Sequence, residues 1–169
     1  MTERPVPSKT ELLEALRSSR EQVVLSLRRV PVEQFEEGRY EGGWTGRQIL
    51  AHIAAIEWSM PRLLDLARQG VASSEGAAAP PTATMRGGAD AYNERQVARR
   101  AHLSIAELRD EFELNRAETI AAVEAADERL LMTPIRSAGG IVGPVSMVMQ
   151  HVAVEHCLGH ARDIVGTGQ

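Results

Sequence analysis

Met147-Val-Met-Gln-His151-Val-Ala-Val-Glu-His156-Cys-Leu-Gly-His160-Ala-Arg-Asp-Ile164 reads as one helix near the C-terminal end of the chain. At about 100° per residue, His156 and His160 project on one face a turn apart, together with Met149, Val152 and Asp163. The same arithmetic puts His151 roughly 140° from His156, pointing outward or sideways. Two imidazoles at i and i+4 on an apolar stripe form a ready pair of metal ligands, because their ring nitrogens can converge on one ion. A third ligand must come from elsewhere, and His52 is the candidate. The residue after His156 is Cys157, so there is no His-Glu-x-x-His pattern and a zincin-type protease is disfavoured.

Working outward, the 169 residues suit one domain with a sizeable core, and a hydrophobic content of 43% fits a packed globule. Aromatics are only 4%; Ala, Leu and Val carry the apolar content, which favours helices. The net charge of -4 and the lack of a basic block argue against nucleic acid as a partner. A single Cys excludes an internal disulfide and fits a cytoplasmic protein. No apolar run is long enough to cross a membrane.

Ser8-Lys-Thr-Glu11 is a capping box, followed by Leu12, Leu16, Val23, Leu27 and Val30 at helical spacing up to Pro31. Residues 32–43 read as a connecting loop. Thr45-Gly-Arg-Gln48 is a second capping box; its helix carries Ile49, His52, Ile56, Ser59 and Leu63 on one face and is predicted to stop near Gly70. The Ala/Ser/Gly/Pro-rich stretch 71–88 is predicted to be a flexible surface loop. A short helix is predicted over 89–102. Ser104-Ile-Ala-Glu107 is a third capping box, starting a helix that bears Ile105, Leu108, Phe112, Ile120 and Val123. Residues 126–143 read as a loop, and Pro144 suits the first turn of the last helix. Four long amphipathic helices without a credible strand pair predict an all-α four-helix bundle over 1–169. Apolar positions off the main stripes, such as Val24, Leu50 and Leu64, point to a homodimer seam.

Each candidate residue has a bland alternative. His52 alone on an apolar face fits a core histidine with one hydrogen bond. Two imidazoles one turn apart need partners for both, which a metal supplies. Cys157 is a soft ligand, a redox nucleophile or a small buried hydrophobe. Asp163, one turn after His160, either orients a ligand imidazole or is a solvated helix-end residue. Arg116 and Thr119 lie in the fourth helix's apolar stripe. Such an arginine either reaches a substrate carboxylate or snorkels to the surface. Asn93 is a site residue or a surface one.

Three segments resemble the DinB-like superfamily, which includes damage-inducible DinB proteins, bacillithiol transferases and the metal-binding domain of mycothiol-dependent maleylpyruvate isomerases. They are Gly43-Trp44-Thr-Gly-Arg-Gln-Ile-Leu-Ala-His52, Tyr92-Asn93-Glu-Arg-Gln-Val, and His151-x4-His156-x3-His160-Ala-Arg-Asp-Ile. The family's closing segment usually has Gly-Gln after the Arg, where this chain has Asp163-Ile164. The resemblance implies a four-helix bundle with His52, His156 and His160 holding a divalent transition metal, zinc or nickel. Its better-understood members activate a low-molecular-weight thiol and transfer it to a small electrophile or use it in an isomerisation. The expected function is therefore a metal-dependent thiol S-transferase or related detoxification enzyme. The alternatives are a non-catalytic sequestering bundle and a metal-dependent hydrolase. Asp163, Arg116 and Asn93 would support the ligands or the substrate. With an ordinary imidazole pKa of about 6.5, metal binding is expected to fail below about pH 6.

Overall fold

The three capping boxes set where three of the helices begin. In the computed structural model, which describes residues 5–40, 43–72 and 86–166, all three close. The Ser8 hydroxyl accepts from the Glu11 amide, and the Glu11 carboxylate accepts from the Ser8 amide at 2.8 Å, opening α1 (Lys9–Arg28). Thr45 and Gln48 do the same at the start of α2 (Gly46–Ala72). After the short α3 (Gly88–Arg99), the Ser104–Glu107 box opens α4 (Ile105–Ala125). Each box satisfies amides at a helix end that no turn can reach.

Several boundaries differ from the sequence reading. α2 runs through Gly70 to Ala72, and α3 stops at Arg99 rather than at 102. Residues 126–143 are not a plain loop. They hold a one-turn α5 (Glu128–Leu131), capped by Asp127, and an antiparallel pair β1 (Pro134–Arg136) and β2 (Val142–Pro144). Strands of three residues are too short to show a period-two pattern, so the sequence did not mark them. The predicted loop at 71–88 lies mostly outside the described residues.

The last helix is continuous but not uniform. It starts as α6 (Val145–Met149), widens into a π-helical segment at Gln150–His156, and ends as α7 (Cys157–Val165). In a turn closed i to i+5, residues five apart stack on one face. His151 and His156 therefore share a face, and the outward placement of His151 is corrected.

α1 and α2 both pack against α4 and α7, so these two lie diagonally across a four-helix bundle. The apolar core falls into two clusters. One gathers Leu12, Leu16, Met60, Leu64, Val123 and Met149; the other Val23, Leu27, Ile53, Phe112, Ala161 and Ile164. Between them every long helix contributes polar groups: Ser19 from α1, Glu57 from α2, Asn115, Arg116 and Thr119 from α4, and the Ala153 carbonyl from the π segment. Leu50 and Leu64, expected at a dimer seam, have no exposure and lie in the chain's own core. No described helix is long and apolar enough to cross a membrane.

Candidate metal centre and cavity

His52 sits in the second turn of α2, and His156 and His160 lie at the junction of the π segment with α7. α2 and α7 are neighbours in the bundle, so their histidines meet. The Nε2 of His156 lies 3.4 Å from the Nε2 of His52 and 3.1 Å from that of His160. One nitrogen from each ring falls within 4.8 Å of the others. Tetrahedral ligation at 2.0–2.1 Å places nitrogens roughly 3.3 Å apart, close to the two separations that His156 makes with its neighbours, so the cluster suits a divalent ion.

The surroundings keep the rings neutral. Burial, then His160 and His156, push His52 down to about 3. Burial, then His160 and His151, push His156 down to about 4. Burial also lowers His160, against the opposing pull of Asp163. Trp44 covers one side, its ring 5.0 Å from that of His52.

Asp163 fixes the tautomer of His160. Its Oδ2 lies 3.2 Å from His160 Nδ1 and accepts a hydrogen bond from the Tyr40 hydroxyl at 2.6 Å. A proton on Nδ1 satisfies this carboxylate and leaves the Nε2 lone pair facing the other two imidazoles. Tyr40, which also lies 3.1 Å from Nδ1, completes the support. Its phenol is pushed up by partial burial and by Asp163, so it stays a donor.

The sequence reading left Tyr40 in a loop. Nothing local marks it, because the loop is positioned by distant contacts. Gly38 and Thr45 form a bridge, and Arg39 donates to the Ile164 carbonyl at 2.9 Å and to the Gln34 carbonyl. Gly46 admits the preceding turn: a Cβ there would lie 3.2 Å from the Phe35 Cα.

Arg116 is elsewhere. It has no exposure and does not snorkel. Its guanidinium pairs with Glu57 through two bonds of 2.8 and 2.6 Å, and also donates to Ser19 Oγ and to the Leu16 and Ala153 carbonyls. Glu57 went unnoticed in the sequence, although an acid beside an apolar stripe on α2 complements the odd arginine on α4. Cys157 is buried with its thiol against Glu57 at 3.6 Å, and burial pushes that thiol well up. It stands outside the histidine cluster.

Asn93 does face the site region. A cavity of about 580 Å³ opens beside His52 and His156 and is walled by α2, the start of α3, the 137–141 turn and the π segment. Asn93, Tyr92, Ser59 and His151 supply polar atoms, and Ile56, Met60, Leu63, Leu66, Ile141 and Val152 supply most of the rest. His151 Nδ1 is held by Glu155 at 2.9 Å.

The sequence matches the DinB superfamily over residues 15–164. The chain belongs to the DinB superfamily. Solved structures share the DinB fold at low identity. The mycothiol-dependent maleylpyruvate isomerase is 22% identical with a TM-score of 0.75, over 97% of this chain and 63% of that one. This chain thus spans less than two thirds of that relative. YfiT from Bacillus subtilis, a probable metal-dependent hydrolase with an unusual four-helix bundle topology, is 12% identical over 92% of this chain and 83% of its own, with a TM-score of 0.67. The colibactin self-resistance protein ClbS, solved with a double-stranded DNA, is 13% identical over 98% of this chain and 100% of its own, with a TM-score of 0.64. No curated protein is similar enough in sequence to match this chain.

Proposed function

We propose that this DinB-superfamily chain is a divalent-metal enzyme, a thiol S-transferase or related detoxification catalyst, with His52, His156 and His160 as ligands to zinc or nickel. The observation that carries this reading is the convergence of three imidazole nitrogens beside a largely apolar cavity. His52, His156 and His160 would hold such an ion as neutral imidazoles that leave its charge uncompensated, and the ion would then acidify a bound thiol or water.

The chain's own residues prepare that chemistry. Asp163 and Tyr40 hold His160 in the tautomer that presents Nε2. The apolar walls exclude water from an electrophile, while Asn93 and Ser59 offer it hydrogen bonds. Cys157 is buried away from the cluster, so the reacting thiol comes from a small molecule rather than from the protein. A mycothiol-dependent relative supports the thiol. A hydrolase relative supports the second reading, in which water takes the thiol's place. The small-thiol chemistry and the single buried cysteine fit a cytoplasmic protein.

The test is cobalt substitution. Protein alone is expected to show no sulfur-to-metal charge-transfer band. Addition of a low-molecular-weight thiol should produce one, and supply of an electrophile should then give turnover. A band from the protein alone would overturn the three-histidine site. Absence of a band with every thiol tried would sink thiol transfer in favour of hydrolysis. A bound thiol without turnover would instead indicate a sequestering protein.

A further inference from the structure

The shape of the cavity narrows the substrate class, an inference that rests on the cavity reading above. Along α2 its wall runs His52, Ala55, Ile56, Ser59, Leu63 and Leu66, successive residues of one helix face. Leu66 lies fourteen residues beyond His52. At 1.5 Å per residue the wall is about 21 Å long. The cavity therefore extends along α2 away from the histidine cluster as a channel.

The histidines stand at one end of the channel, and the apolar side chains gather towards the other. His52 and His156 stand at the metal end. α3 runs beside α2 with Val97 packed in the same core cluster as Ile49 and Ile53, so its Tyr92 and Asn93 lie further along the channel. Beyond them Met60, Leu63, Leu66 and Ile141 supply apolar wall, edged by Arg62 and Ser137. Leu66 is the telling residue. It is half-buried, yet it belongs to neither core cluster, and its place in the structure is as a wall of this cavity. At the rim the Arg62 guanidinium lies 3.3 Å from the centre of the Trp58 ring, which shields the apolar end from the side.

We infer that the site takes an elongated, apolar-tailed small molecule, its reactive head at the histidine cluster and its alkyl or aryl-alkyl tail along α2 as far as Leu66. The tail is held by burial alone, so affinity grows with its length. Each methylene sequestered from water should tighten binding about fourfold until the channel is full.

The experiment is a chain-length series on the full protein. n-Alkanethiols from butanethiol to dodecanethiol, and n-alkanols of the same lengths, are titrated into zinc-loaded and metal-free protein. Tryptophan fluorescence (Trp58 lines the channel) and calorimetry report binding. The expected result is a Kd that falls with chain length in both series and then levels off. Leu66→Glu should leave the short chains unchanged and weaken the longest by about tenfold or more. Leu66→Met should restore them. A Kd independent of length, or a Leu66→Glu variant equally weakened for short and long chains, would overturn the inference. The two series separate the readings. Length dependence in both, with no thiol charge-transfer band in the cobalt-substituted protein, removes thiol transfer but leaves the tail site. A thiol band with no length dependence does the reverse.

Discussion

At the scale of single residues, the histidines are not equivalent, although three of them lie on the last helix. His160 is a proposed ligand whose Nδ1 is held by Asp163, whereas His151 is turned to Glu155 and His102 is exposed at a helix-connecting turn. His160→Ala should therefore cut bound metal from about one ion per chain to a small fraction, measured by elemental analysis. His151→Ala and His102→Ala should retain it. Equal loss in all three would contradict the ligand assignment. The pH response follows from burial. Unfolded histidines take up protons near pH 6.5, while folded His52 and His156 resist until about 3 and about 4. Below pH 6.5 the unfolded chain thus binds more protons, so the metal-free fold should be most stable above that pH and weaken steadily as pH falls towards 4. Urea midpoints across this range check the sign; a midpoint that rises on acidification would refute it. The same neutral rings should hold metal below pH 6. This is a lower limit than an ordinary imidazole would set, because burial opposes protonation of the rings, and metal content measured between pH 4 and 6 decides between the two.

At the scale of elements, the π segment and the buried polar layer belong together. Pro61 inside α2 has no amide to give the Glu57 carbonyl, and Thr119 Oγ1 lies 3.3 Å from that oxygen instead. The Glu57 side chain then pairs with Arg116, which also takes the Ala153 carbonyl of the widened helix. Both partners are fully buried. Glu57→Leu or Arg116→Met alone should cost about 3–5 kcal/mol, because each strands a charged partner in the core. The double replacement Glu57→Leu with Arg116→Met should recover much of the loss, as a well-packed apolar pair needs no partners. Denaturant unfolding measures both. Additive losses in the double variant would show that the pair does not act as a unit.

At the scale of the whole molecule, the candidate centre links α2 to the last helix, with His52 and His156 104 positions apart in the chain. An ion that binds the folded chain alone should raise the unfolding midpoint with its concentration, by about 4 kcal/mol at a thousandfold excess over Kd. Calorimetry with and without chelator tests this. An unchanged midpoint under saturating zinc would mean that the three rings do not hold it.

The sequence by itself determined where the long helices begin and which histidines are candidates for a cluster. Capping boxes at Ser8, Thr45 and Ser104 act within four residues, so their readout is local. The i, i+4 spacing of His156 and His160 is likewise fixed by the α-helical turn, and α7 preserves it. Periodicity of 3.6 separated core faces from solvent faces well enough to specify a four-helix bundle. Only the tertiary structure decided what distant partners control. The face of His151 changed because the helix widened over Gln150–His156. The fate of Arg116 depended on Glu57, Ser19 and Ala153, contributed by three other elements. Tyr40 reached His160 only through a loop anchored by Arg39 to the end of α7. Backbone hydrogen bonding within one helix is written in neighbouring residues; a buried charge, a ring tautomer or a cavity wall is set by side chains far apart along the chain.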